Sequence, residues 1–202
     1  MANRILLLTC VAVFGTVFFN GGVQAQDPEF TQFYANPLYL NPAFAGSSRC
    51  PRMVMNYRNQ WPGINRTYIT YSASYDQHVD AMSGGLGIFV TNDQAGNGTI
   101  NTTNAAVMYS YYLPVTNSFS VKAGVQAAFA QKSVDWTKLT FGDMIDNKLG
   151  FISQTSERNP NRTVTNVDFS AGILGYSSSF FIGGAAHHLL EPDEAFISSG
   201  SS

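Results

Sequence analysis

Residues 119–129 read F-S-V-K-A-G-V-Q-A-A-F. Alternate positions separate cleanly. Phe119, Val121, Ala123, Val125, Ala127 and Phe129 form one set, and Ser120, Lys122, Gly124, Gln126 and Ala128 the other. A strand points successive side chains to opposite faces, so this stretch is a strand with one apolar face and one small, hydrated face. Aromatic rings close the apolar face at both ends. That is the pattern of a strand that crosses a membrane between two interfacial girdles.

Working outward, the same period recurs. Met53, Met55, Tyr57, Asn59 and Trp61 oppose Val54, Asn56, Arg58 and Gln60. Ile69, Tyr71, Ala73 and Tyr75 oppose Tyr68, Thr70, Ser72 and Ser74, and Val167, Phe169, Ala171 and Ile173 oppose Asn166, Asp168, Ser170 and Gly172. Further strands are expected near Leu86 to Thr91, Ile100 to Leu113 and Phe180 to Leu190, with the strand of Val167 running from Thr163 to Tyr176. Pro62-Gly63, Ser83-Gly84-Gly85, Asp93 to Gly98, Pro114 to Ser118 and Ser177 to Ser179 mark the turns, and a polar stretch from Asp135 to Arg162 is a long loop. Charged residues are 12% of the chain and the net charge is −2. Soluble domains carry roughly 25% charged residues, and nucleic-acid binding needs a basic patch. Both comparisons point away from a soluble or DNA-binding protein. The expected fold is all-β, a transmembrane antiparallel β-barrel. Seven strands do not make the even number of a bacterial barrel. Residues 52–202 are therefore expected to hold about the N-terminal half of one.

Before the first strand lies a different texture. Asp27 to Gly46 reads D-P-E-F-T-Q-F-Y-A-N-P-L-Y-L-N-P-A-F-A-G. Its three prolines forbid a long helix and a central strand, while its aromatics need a surface to lie on. Residues 26–51 are expected to be an irregular plug or docking segment with turns at the two Asn-Pro steps. Still earlier, Arg4, the apolar run Ile5 to Phe19 and Val23-Gln24-Ala25 have the layout of a secretory signal over residues 1–25. The apolar run is shorter than the ~20 residues of a spanning helix. Cys10 leaves with such a signal, so Cys50 has no partner for a disulfide.

The residues of 27–46, together with G-L-G-I-F-V-T-N-D-Q-A-G at 85–96, Y-S-Y-Y-L-P at 109–114 and D-W-T-K-L at 135–139, resemble the PorP/SprF family of type IX secretion system outer-membrane proteins. The resemblance covers most of the chain beyond residue 25. It implies a non-enzymatic barrel in the bacterial outer membrane that supports export or surface attachment of cargo proteins, linked to gliding or adhesin display. The partners it implies are the periplasmic ring components of the secretion system and the cargo itself, besides the lipid bilayer. A passive uptake channel with an N-terminal plug is the alternative.

No motif for a nucleophile, a zinc site or a phosphate loop is present, and no cofactor is expected. Gly84-Gly85-Leu86-Gly87 precedes strand-like residues rather than a helix, which removes the N-terminus that a phosphate loop uses. His187 and His188, read as strand neighbours, point to opposite faces and cannot grip one metal. Asp135, Asp143 and Asp146, with Asn147, lack calcium-loop spacing. The functional expectation therefore rests on one set, a partner-docking surface formed by Phe30, Asn36, Pro37, Tyr39, Asn41, Pro42, Phe44 and Gly46. In the strands, Val125 is expected to face lipid and Gly124 a hydrated lumen, so that Arg at 125 harms assembly more than Arg at 124. The signal layout predicts a processed chain that begins at Gln26. N-terminal sequencing of the membrane-fraction protein checks it, and an intact Met1 would refute it.

Overall fold

The computed structural model describes residues 30–63, 67–96, 98–116, 118–139, 144–146, 150–151 and 163–190. The proposed signal, Cys10, Gln26, Asp143, Asn147 and the residues beyond 190 lie outside this set. Seven strands form one antiparallel half-barrel sheet. They are β1 (Arg52–Gln60), β2 (Tyr68–Val79), β3 (Gly84–Ala95), β4 (Ile100–Pro114), β5 (Phe119–Val134), β8 (Thr163–Ser177) and β9 (Phe181–Ala186). Each pairs with its neighbour in sequence order, and β1 and β9 lie at the two ends of the ladder. Between β5 and β8, β6 (Ile145–Asp146) and β7 (Gly150–Phe151) make a separate two-residue ladder. The transmembrane β reading holds, and no helix among the described residues is long and apolar enough to cross a membrane.

Alternation decides which face each residue takes. Val125 and Phe129 are exposed on the outer face, while Lys122, Gly124 and Ala128 are buried on the inner one. Register carries this across the sheet. Ala73, Val90, Ala105, Phe129 and Val167 are successive cross-strand partners and make one apolar row on the outer face. Thr70, Ser72, Ser74 and Asp76 of β2, buried inside, stand back to back with Tyr71 and Tyr75 outside. Apolar residues outside and polar ones inside are the arrangement that hydrocarbon requires of a spanning strand. At 16 residues, β5 is longer than the ~9–11 a tilted strand needs to cross. The connections at Asp80–Ser83, 115–118 and 178–180 are short; on the opposite end those at 61–67 and 135–162 are longer, while 96–99 is as short as the turns across from it.

Several boundaries differ from expectation. β2 runs past Tyr75 to Val79, and β3 runs past Thr91 to Ala95, so Asp93 and Gln94 are strand residues paired on both sides rather than turn residues. β3 starts at Gly84, not near Leu86, because Gly84 and Gly85 pair on both sides, with Val79 and His78 and with Tyr111 and Ser110. The turn before it is Asp80–Met82, closed by Ser83 at φ 48°. β9 stops at Ala186, so His187 and His188 follow the strand rather than alternating along it, with His188 at φ 55°. The polar stretch after β5 is not wholly irregular. It opens with the 3-10 turn Trp136–Lys138, capped by Asp135, whose Oδ1 accepts from the Thr137 amide at 3.1 Å.

The face assignment predicts that Val125→Arg blocks assembly, since a charge facing mid-bilayer lipid costs about 2–4 kcal/mol. Gln126→Lys, one position along and turned inward, should assemble. Heat-modifiable migration of the two variants compares them, and equal loss would reverse the face assignment.

Candidate functional site

Residues 30–46 lie against the inner face of the sheet, and their local form follows from the Asn-Pro steps. Phe33–Ala35 is a 3-10 turn, Pro37–Leu40 one turn of α-helix, and Pro42–Phe44 a second 3-10 turn. Each proline takes the first helical position, where its missing N–H costs nothing, and the Asn before it stays out of the helical region. Asn41 uses its amide fully. Its Oδ1 accepts from the Ala43 amide at 2.8 Å, and its Nδ2 donates to the carbonyls of Ile173 at 3.2 Å and Gly184 at 3.0 Å. Those two carbonyls belong to paired residues of β8 and β9. A carboxylate could not donate to them, and a serine lacks the reach.

The segment then meets three other strands. The carbonyl of Ala45 accepts from Ser110 Oγ at 2.6 Å and Lys122 Nζ at 2.8 Å. The Gly46 amide donates to Asp76 Oδ2 at 2.9 Å. Asp76 is buried and also receives Arg52 in a fork, Nε to Oδ1 at 2.9 Å and Nη2 to Oδ2 at 3.0 Å. One carboxylate therefore ties the end of the segment to the first residue of β1. Paired with Arg52 and bonded to an amide, its buried charge is compensated. Leu38, Ala43 and Ala45 are fully buried, and Tyr39 packs between Phe30 and Phe89, with ring centroids 5.6 and 5.7 Å away.

The sheet makes room for this backbone. His78, Gly85, Ser110, Gly124, Gly172 and Ala185 are successive partners on β2, β3, β4, β5, β8 and β9, one continuous row on the inner face. A Cβ at Gly85 would collide with Ala45 and Gly46, one at Gly124 with Pro42 and Ala43, and one at Gly172 with the Asn41 side chain. Glycine inside a strand often marks a place where another backbone comes close. The expectation that Gly124 faces open, hydrated lumen is therefore wrong. It is buried under the segment, and Arg there cannot be accommodated with the segment in place.

Of the residues expected to dock a partner, Asn36, Asn41, Pro42 and Gly46 are buried against the sheet, as is Phe30, while Pro37, Tyr39 and Phe44 are half-buried. All eight belong to the one segment, and Phe33, Tyr34 and Leu40 carry its exposed apolar surface. Sequence reasoning missed their counterparts: Arg52, Asp76, Gly85, Ser110, Lys122, Gly124 and Gly172. Glycine recurring within strand patterns was the available signal, together with Asp76 and Lys122 on a face otherwise small. Beside the segment is a cavity of about 610 Å³, lined by Phe30, Phe33, Tyr39, Phe44, Gln126, Asp168 and His188 among others. His188 Nδ1 lies 2.9 Å from Asp168 Oδ2. Among the described residues no cluster could hold a metal ion. Ser110, Lys122 and Asp76 each bond a peptide group of Ala45 or Gly46, so this arrangement holds a chain in place.

A membrane-spanning antiparallel half-barrel with a peptide segment seated on its inner face defines the class. Residues 22–202 match the family of type IX secretion system membrane proteins PorP/SprF, and the chain belongs to that family. It is a membrane component of type IX secretion. Neither a curated protein nor a solved structure matches it.

The seat predicts two variants. Gly124→Leu should displace residues 42–46 while the strands still pair, read as new protease cleavage within 30–46 with heat-modifiable migration kept. Asp76→Ala strands the buried Gly46 amide, while Arg52 keeps the Phe44 carbonyl and Ser47 hydroxyl, and should lower unfolding stability by about 1–3 kcal/mol, the cost of an unsatisfied buried donor. An unchanged cleavage pattern in Gly124→Leu would mean the segment is not held by this row.

Proposed function

We propose that the chain is an outer-membrane barrel that supports export or surface attachment of type IX cargo proteins, in processes such as gliding or adhesin display, and that residues 26–51 are its plug or docking element. Membership of the PorP/SprF family carries this reading. The geometry adds a direction. The segment runs into β1 at Arg52, on the end of the sheet with the short turns, which in bacterial barrels faces the periplasm. The periplasmic ring components are the partners within reach there. A partner meets Phe33, Tyr34 and Leu40 first, and reaches Asn36, Asn41 and Gly46 only by drawing the segment off its seat.

Replacing Asn36, Tyr39, Asn41 and Phe44 together with Ala tests the role. The strand ladder does not run through the segment, so outer-membrane abundance should stay near that of the parent while cargo export is lost. Normal export from the quadruple variant would overturn the docking role. Intact export combined with new solute conductance in bilayers would favour the passive uptake channel instead.

A further inference from the structure

The outer face of the sheet carries no charged residue. Every Arg, Lys and Asp of the seven strands, namely Arg52, Arg58, Asp76, Asp93, Lys122, Lys132 and Asp168, occupies an inner-face position by register. Yet the outer face does not stay apolar along its length. On β3, β4, β5 and β8 it changes at one register step. Val90, Ala105, Phe129 and Val167 give way to Asn92, Thr103, Gln131 and Thr165, and then to Gln94, Asn101, Ser133 and Thr163. These two rows lie toward the long-loop end, where the strands outrun the ~25 Å apolar band. Tyr57 and Tyr71 continue the first row onto β1 and β2, with ring centroids 5.2 Å apart, as interfacial aromatics do.

The rows are ordered by their own hydrogen bonds. Asn92 Nδ2 donates to Asn101 Oδ1 at 2.7 Å and to Thr103 Oγ1 at 2.9 Å, and Gln94 Nε2 donates to Asn92 Oδ1 at 3.1 Å. Gln131, Thr163 and Thr165 are exposed beside them. A strand surface in open water has no reason to exclude charge, and roughly a quarter of the residues of soluble domains are charged. Phosphate-bearing headgroups would favour Lys or Arg. On the inner face at the next register step stand Arg58, Asp93 and Lys132, so the neutrality belongs to the outer face alone. Amides and hydroxyls without charge, placed where hydrocarbon ends, match a neutral, hydroxyl-rich layer.

We propose that this uncharged belt on β3, β4, β5 and β8 binds the sugar portion of outer-leaflet glycolipid through Thr103, Gln131 and Thr165, with Asn92 holding Thr103 in place. The inference rests on the outer-membrane placement given above. It assigns the belt a lipid partner, leaving the inner segment for protein partners.

The test uses the full chain in its own outer membrane, extracted in mild detergent, with retained glycolipid counted by native mass spectrometry. Thr103→Val, Gln131→Met and Thr165→Val combined keep shape and remove hydrogen bonds. This variant should reach the outer membrane at parental abundance and retain about tenfold less glycolipid, the loss expected from one or two net hydrogen bonds. Glycolipid stripped of phosphate should rebind the parent as well as intact glycolipid, and sugar-truncated glycolipid should not. A photo-crosslinking residue at Gln131 should capture carbohydrate-bearing lipid. Equal retention by parent and variant, a requirement for phosphate, or capture of a polypeptide at 131 would each overturn the belt's assignment. Absence of the parent chain from the outer membrane would instead overturn the localisation.

Discussion

Ala45 and Gly46 bring peptide backbone close enough to bond with Asp76, Ser110 and Lys122, on three different strands. That approach sets what the inner face can be. A backbone can lie on a pleated sheet only where side chains are missing, so Gly85, Ser110, Gly124 and Gly172 form a shallow trough across the ladder. The charges beside it are tolerable for the same reason. Lys122 is buried, but its ammonium ends on the Ala45 carbonyl, and Asp76 is buried between Arg52 and the Gly46 amide. Remove the segment and each would need water or another partner.

The arrangement separates two tasks. Strand pairing and the apolar outer rows hold the half-barrel in lipid, and neither depends on residues 30–46. The inner bonds hold the segment, and few of them contribute to strand pairing. Asn41 is the exception in reach, since its amide bridges carbonyls of β8 and β9 while capping its own turn. The strand ladder and the seat of the segment thus rest largely on different bonds.

Alternation was enough to place β1, β4, β5 and β8 within a residue or two, and to sort Val125 from Lys122 and Tyr71 from Ser72, but it ended β2 at Tyr75 where the strand runs on to Val79. It failed where glycine carried a second meaning. Gly84 and Gly85 look like a turn because glycine favours turns, yet they extend β3, and the turn falls at Asp80–Ser83. His187 and His188 continue the apolar run of β9 in sequence but fall past its last paired residue. The segment's irregular form was legible too, because proline restricts local geometry whatever surrounds it.

The amino-acid order by itself determined the strand period, the two faces, the membrane class and the turns at Asn36-Pro37 and Asn41-Pro42. All of these are local, since a two-residue repeat and a fixed proline φ need no distant partner. Only the tertiary structure decided that Gly124 is covered rather than hydrated, that Asp76 joins Gly46 to Arg52, and that the aromatic segment lies inside the sheet with Asn41 reaching β9. Residues 41 and 184 are far apart in the chain, and whether a small inner-face residue meets water or backbone depends on what the fold brings to it. Period and composition are the same in either case.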